Sequence, residues 1–192
     1  VDTEVGYIGG ENEDPTYRNH PGHAEGIELT YNPDETNFRE ILDYFFRIHN
    51  PTTVDRQGND RGSSYRSAIF IQNGEDKHTA EEIIKIVDDS KRWEAKVVTR
   101  LEPFTKFWPA EDYHQDYYRK NPVRYRFYRW TCGRQARLGL GQCRQPLLGA
   151  VGDRRGDRVE QDEAADQGDQ HTHHDAAGRG DGGVLGLLGD VG

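Results

Sequence analysis

Glu25 opens the stretch Ala24-Glu25-Gly26-Ile27-Glu28-Leu29-Thr30-Tyr31, which alternates as a half-buried strand does. Glu25 is in phase with Ile27, Leu29 and Tyr31, so its side chain is expected on their apolar face. A carboxylate drawn into such a face loses hydration, which favours the protonated acid. A carboxylic acid still protonated near neutral pH can donate a proton in catalysis. The ordinary alternative is a strand-end Glu that turns back to water or pairs with Arg. A second chemistry is open to the same stretch: His20, His23 and Glu25 crowd together and His114 could approach them, a donor set that suits zinc.

The elements that must position these residues follow from periodicity. Glu4 to Ile8 reads as a strand ended by Gly9-Gly10, and the Glu25 strand comes next, broken by Asn32-Pro33-Asp34. Thr36 or Asn37 can cap a helix through Ile48, with Phe38, Ile41, Leu42, Phe45 and Phe46 on one stripe. A long polar loop from Pro51 to Tyr65 precedes a short apolar strand, Ser67 to Ile71. A helix is expected over roughly Asp76 to Lys91, a strand over Lys96 to Leu101, and a further helix over Glu111 to Lys120 that stops at Pro122. This order predicts an α/β (α+β) two-layer sandwich with a mainly antiparallel mixed sheet.

Composition divides the chain in two. All 20 Phe, Trp and Tyr residues lie at or before Trp130, whereas 14 of the 22 glycines lie from Thr131 onward. We expect one domain over residues 1–138. Residues 139–192 read as a Gly/Asp/Arg-rich tail, disordered or translated in a shifted frame, because they offer too little apolar area to offset ordering entropy. The net charge of −9 argues against nucleic acid or an anionic membrane as partner, and no apolar run approaches the ~18 residues of a membrane span. The two cysteines, Cys132 and Cys143, are too few for a disulfide scaffold and point to a reducing, cytoplasmic setting.

Five loop motifs surround this scaffold: Thr16-Tyr17-Arg18-Asn19-His20, Gly22-His23-Ala24-Glu25, Arg56-Gln57-Gly58-Asn59-Asp60, Ser64-Tyr65-Arg66-Ser67-Ala68-Ile69 and Ala110-Glu111-Asp112-Tyr113-His114-Gln115-Asp116-Tyr117. With Val5-Gly6-Tyr7-Ile8-Gly9-Gly10, they closely resemble the class A peptide methionine sulfoxide reductases over about residues 1–130. The resemblance implies a ferredoxin-like core and the reduction of free or peptide methionine-S-sulfoxide to methionine. It makes Glu25 the catalytic acid, Tyr17 and Tyr65 the phenols beside the sulfoxide oxygen, and Asp60 a residue that orders the site. Left to themselves, Tyr17 and Tyr65 would read as half-buried tyrosines and Asp60 as a turn cap.

The same resemblance implies thiol chemistry with no metal or organic cofactor. A thiolate attacks the sulfoxide sulfur and becomes a sulfenic acid, a second cysteine condenses with it, and thioredoxin or another dithiol reduces the disulfide. Cys132 matches the neighbourhood of a recycling cysteine in some family members, against an inert thiol as the alternative. The family's nucleophile lies in a Gly-Cys-Phe-Trp-Gly motif ahead of the position matching Val1, and no Cys precedes Cys132. The chain therefore reads as a fragment without the family's first strand and helix, monomeric, and inactive as written. A non-catalytic domain that binds methionine sulfoxide is the other reading of the same facts.

Overall fold

A computed structural model describes residues 1–132 and, for its backbone, residues 182–186. Two long strands, β1 (Asp2–Ile8) and β2 (Ala24–Thr30), pair antiparallel with Tyr7 opposite Glu25 and Glu4 opposite Glu28. Helix α1 (Phe38–Ile48) follows, then a small hairpin of β3 (Arg56–Gln57) and β4 (Asp60–Arg61) and a 3-10 turn at Ser63–Tyr65. Strand β5 (Ala68–Ile71), helix α2 (Gly74–Asp89), β6 (Arg100–Pro103) and β7 (Trp108–Pro109) come next. Two helices, α3 (Tyr117–Lys120) and α4 (Pro122–Thr131), end the continuous part, and β8 (Gly182–Gly186) is a separate strand.

Six strands form one sheet in the order β6-β5-β8-β2-β1-β7, with β5–β6 parallel and every other pairing antiparallel. The expected mainly antiparallel mixed sheet is thus the one observed. Residues of β2 in phase with Glu25 carry the main core: Ile27 and Leu29 pack against Phe38, Leu42, Phe45 and Phe46 of α1, Ile69 of β5, and Ala80, Ile83 and Val87 of α2. Ile8, Ala24, Ala68 and Phe70 form a second cluster with Phe104 and Phe107.

Helix α1 starts where Asn37 accepts from the Glu40 amide at 3.0 Å, which satisfies one of the unpaired donors of its first turn. Its far end is pinned by buried His49. Nδ1–H donates to the Phe45 carbonyl at 2.6 Å, so Nε2 accepts from the Ser67 hydroxyl at 2.9 Å, and Ser67 in turn accepts from Thr99 at 2.8 Å. This chain of polar bonds locks α1 to the residue just ahead of β5.

Three sequence expectations are corrected. The strand expected at Lys96 to Leu101 begins at Arg100, because the Val97 amide is taken by the Asp88 carboxylate (2.7 Å) and the Val98 amide by the Pro51 carbonyl (2.8 Å). The helix expected at Glu111 to Lys120 is only Tyr117–Lys120, preceded by Asp116 at φ +52. Pro122 does not stop that region but begins α4 as its first residue, where its missing N–H is no loss. Within the expected tail, 182–186 pair as a central strand, and the rest of that expectation lies outside the described residues.

Candidate active site

The end of β1, the start of β2, the 3-10 turn before β5 and the β3–β4 hairpin converge around Glu25. Glu25 is 2 % exposed and stands opposite Tyr7 across the β1–β2 ladder. Its Oε1 lies 3.7 Å from Nε2 of His20. His20 offers its other nitrogen, Nδ1, to the Thr16 carbonyl at 2.8 Å, and its ring stacks on Tyr7 with centroids 5.0 Å apart. The Thr16 carbonyl can only accept, so Nδ1 donates to it and Nε2 is the nitrogen that faces the carboxyl.

Tyr65 ties the sequence-predicted residues together. Burial pushes its phenol well above the ordinary tyrosine value, and the charges of Glu25 and Asp60, the Tyr17 phenol and a hydrogen bond with Glu25 add to that. The hydroxyl therefore stays protonated and available as a donor. Tyr17 is 43 % exposed, with its ring 5.1 Å from that of His114. Asp60 on β4 accepts a hydrogen bond from the Tyr128 hydroxyl at 2.6 Å, which clamps α4 onto the hairpin. Cys132 caps the end of α4 and is 8 % exposed. It packs on Gly58, where a Cβ would stand 3.0 Å from its own Cβ and where φ is +60. The turn needs glycine both for its backbone and for the thiol-bearing residue beside it. Glu25, Tyr17, Tyr65 and Asp60 thus share one neighbourhood, with Cys132 held against the same hairpin.

Two residues in this neighbourhood escaped the sequence reading of the site. The Tyr7 hydroxyl donates to Oε2 of Glu111 at 3.0 Å, and the Tyr17 amide donates to Oε1 of the same carboxylate at 3.0 Å. Burial acts to raise the Glu111 carboxyl, but the amides of Tyr17 and of Glu111 itself, the Tyr7 hydroxyl and His114 outweigh it and hold the group below its ordinary value. Nearby, Gln115 takes the Val5 amide on its oxygen (3.1 Å) and gives its amide to the Val5 and Ala110 carbonyls (2.8 and 3.0 Å). Glu111 stood in a quoted motif, yet its two partners depend on a strand register that the long loop between β1 and β2 hides from the sequence.

Among the described residues, His20, His23, Glu25 and His114 are not gathered into a ligand cluster. Nε2 of His23 is 3.0 Å from the Asn12 carbonyl, and the ring is packed against Gly10. Burial also pushes the His23 imidazole below its ordinary value. Among the described residues, no group of three or more His, Cys, Asp or Glu side chains is arranged to hold a metal ion. No helix among them is long and apolar enough to cross a membrane.

Residues 1–140 match the family model described as peptide methionine sulfoxide reductase. The peptide methionine sulfoxide reductase MsrA of Nocardia farcinica is 55 % identical over 125 residues, which is 65 % of this chain and 74 % of that protein. MsrA 2 of Rhodopirellula baltica is 54 % identical over 123 residues, 64 % of this chain and 73 % of that protein. Among solved structures, Mxr1 from Saccharomyces cerevisiae in reduced form aligns with a TM-score of 0.60 at 37 % identity, covering 64 % of this chain and 72 % of that one. Methionine sulfoxide reductase A of Corynebacterium diphtheriae aligns with a TM-score of 0.56 at 31 % identity, covering 64 % and 65 %.

Proposed function

The chain belongs to the peptide methionine sulfoxide reductase family, and on that premise we propose that Glu25 is the acid that protonates the sulfoxide oxygen as methionine-S-sulfoxide is reduced to methionine. The observation that carries this reading is a carboxyl 2 % exposed beside a phenol that burial keeps protonated. When a thiolate attacks the sulfoxide sulfur, negative charge builds on the oxygen. Glu25, Tyr65 and Tyr17 are the groups that can meet that charge with hydrogen bonds and deliver the proton. Asp60 acts through position: its bond to Tyr128 fixes the hairpin beside Tyr65.

The attacking sulfur leaves this step as a sulfenic acid, and Cys132 is the thiol we assign to condense with it into a disulfide. A thioredoxin-type dithiol then restores both thiols by exchange. Substrates are free methionine sulfoxide and oxidised methionines in flexible protein segments, handled by a monomer in the cytoplasm. The 192 residues hold two cysteines, Cys132 and Cys143, and no Gly-Cys-Phe-Trp-Gly motif. By itself the chain is therefore expected to give no turnover with a methionine sulfoxide peptide and dithiothreitol.

Placing a segment with that motif ahead of Val1 supplies the nucleophile and tests the acid. In the extended protein, Glu25→Gln is expected to slow the single-turnover reductive step by ~10²–10⁴, the span for losing a positioned general acid. An unchanged single-turnover rate would remove Glu25 from this role.

A further inference from the structure

Helix α4 turns one face to the domain and leaves the opposite face bare. Its less exposed positions are Tyr125, Tyr128, Arg129 and the capping Cys132. Tyr128 donates to Asp60 of the β3–β4 hairpin at 2.6 Å, and the Arg129 guanidinium lies 5.8 Å from the centre of the Tyr125 ring. At 3.6 residues per turn, Val123, Phe127 and Trp130 fall about 180° round the helix from these residues. Each of the three is at least 66 % exposed, and the rings of Phe127 and Trp130 stand 6.5 Å apart. Single exposed apolar residues are ordinary, but a stripe of three on one helix face marks a contact surface.

The charge around this stripe has one sign. Residues 117–132 hold Arg119, Lys120, Arg124, Arg126 and Arg129, and no Asp or Glu. Arg124 and Arg126 are exposed and sit one on each side of the stripe. Tyr118 on α3 is exposed as well, with the Arg119 guanidinium 5.3 Å from its ring centre. Asp60, the acid bonded to α4, lies on the inward side with Tyr128. The net charge of −9 is a sum over the whole chain and does not describe this face. At physiological ionic strength exposed charges are screened beyond ~8 Å, so a partner meets the local cations rather than the total.

We propose that α4 is a lipid-contact helix: Val123, Phe127 and Trp130 enter the headgroup region of an anionic bilayer, while Arg124 and Arg126, with Arg119 and Lys120, meet its phosphates and carboxylates. Charge complementarity selects this occupant. A protein partner needs charges of both signs to fix register and reject wrong partners, and a standard interface buries about 1,200–2,000 Å², far more than three side chains cover. A uniformly negative surface needs neither. Trp, Phe and Arg are also the residue types that settle at the boundary between headgroups and acyl chains. A helix of 10 residues with three apolar side chains gives reversible, salt-sensitive binding rather than anchoring. Through the Tyr128–Asp60 bond, the seated helix carries the β3–β4 hairpin with it to the lipid surface. The inference does not depend on the role of Glu25.

The test uses the full chain and two kinds of vesicle, one of equal parts phosphatidylserine and phosphatidylcholine and one of phosphatidylcholine alone. Flotation is expected to show binding to the first about tenfold or more tighter than to the second, weakening as salt is raised. Phe127→Ser with Trp130→Ser is expected to lower that binding about tenfold or more, and Arg124→Gln with Arg126→Gln to remove most of the preference for phosphatidylserine. All four residues are exposed, so the far-ultraviolet circular dichroism of both variants should match the parent chain. Brominated phosphatidylserine is expected to quench tryptophan emission in the parent chain and to have little effect in Trp130→Phe, which reads insertion of this face directly. No binding, equal binding to both vesicles, unchanged binding in the Phe127/Trp130 variant, or equal quenching in Trp130→Phe overturns the proposal. Tighter binding to a single-stranded oligonucleotide than to the anionic vesicles, lost in the same variants, would assign the face to nucleic acid and overturn it as well.

Discussion

Replacing Glu111 with alanine measures how strongly one carboxylate holds the walls of the site together. Its two oxygens accept from the wholly buried Tyr7 hydroxyl and from the Tyr17 amide, each at 3.0 Å. Loss of the acceptor leaves the Tyr7 hydroxyl unpaired in the interior, which costs about 1–3 kcal/mol. The Tyr17 amide lies at the surface and can turn to water, so its lost bond is worth no more than ~1 kcal/mol after screening. Glu111→Ala should therefore destabilise the fold by about 1–4 kcal/mol. In urea at pH 7, followed by far-ultraviolet circular dichroism, this is a fall in midpoint of roughly 0.5–2 M. Tyr7→Phe removes the donor instead, and in the double variant much of the loss should vanish, giving a coupling of ~1–2 kcal/mol. The pH dependence has a definite sign. The Glu111 carboxyl is held below its ordinary value in the folded chain. Its contribution is therefore present above the unfolded value and is lost as pH falls through the lowered folded one. The Ala variant should flatten the stability curve in that acid window only. Additive single losses, with coupling below ~0.3 kcal/mol, would refute the claim that Glu111 acts through Tyr7.

Two further outcomes follow from the strands that carry the site. Glu28 is pushed above its ordinary value by burial and by Glu4 directly opposite, so the fold holds that proton more tightly than the unfolded chain and stability falls as pH rises through the raised value. Glu4→Gln should raise stability at pH 7 by ~0.2–1 kcal/mol and reduce that fall, as read by thermal melts across pH; an unchanged slope would exclude the cross-strand repulsion. Gly10→Ala should lower the melting temperature by several degrees, since a Cβ there would lie 2.0 Å from Cδ2 and 2.5 Å from the backbone nitrogen of His23. An unshifted melt would show that the loop ahead of Glu25 yields easily.

Strong periodicity made much of this fold legible before any coordinates. The α1 stripe and its cap, the β1 and β2 strands, and the phase of Glu25 with Ile27 and Leu29 all follow from local spacing, and the structure has them. Misreadings occur where distant groups capture the backbone. Val97 and Val98 have strand character, but Asp88 and Pro51 take their amides before the ladder starts. Helix α2 starts at Gly74, ahead of the expected Asp76, because the Asn73 side chain caps it by accepting from the Asp76 amide. Residues Glu111 and Gln115 have helical spacing, yet their side chains are spent on Tyr17, Tyr7 and Val5. Strand β8 was illegible for the opposite reason, since its glycines give no pattern and its place is set by two neighbouring ladders. In the candidate site, alternation pointed to Glu25 and motifs to Tyr17, Tyr65 and Asp60, whereas Tyr7 meets Glu25 only once β1 and β2 are in register.

The bonds that frame the site reach across most of residues 1–132. Glu111 reaches Tyr17 across 94 positions and Tyr7 across 104, and Gln115 reaches Val5 across 110. Contacts so distant close large loops, and they form slowly compared with the helical turns of α1 and α2. During synthesis, the first ~110 residues can therefore carry formed helices while the Tyr17 loop is still untethered. The candidate site is then among the last parts of the domain to mature, and a chain paused before Gln115 would present Glu25 without its finished surroundings.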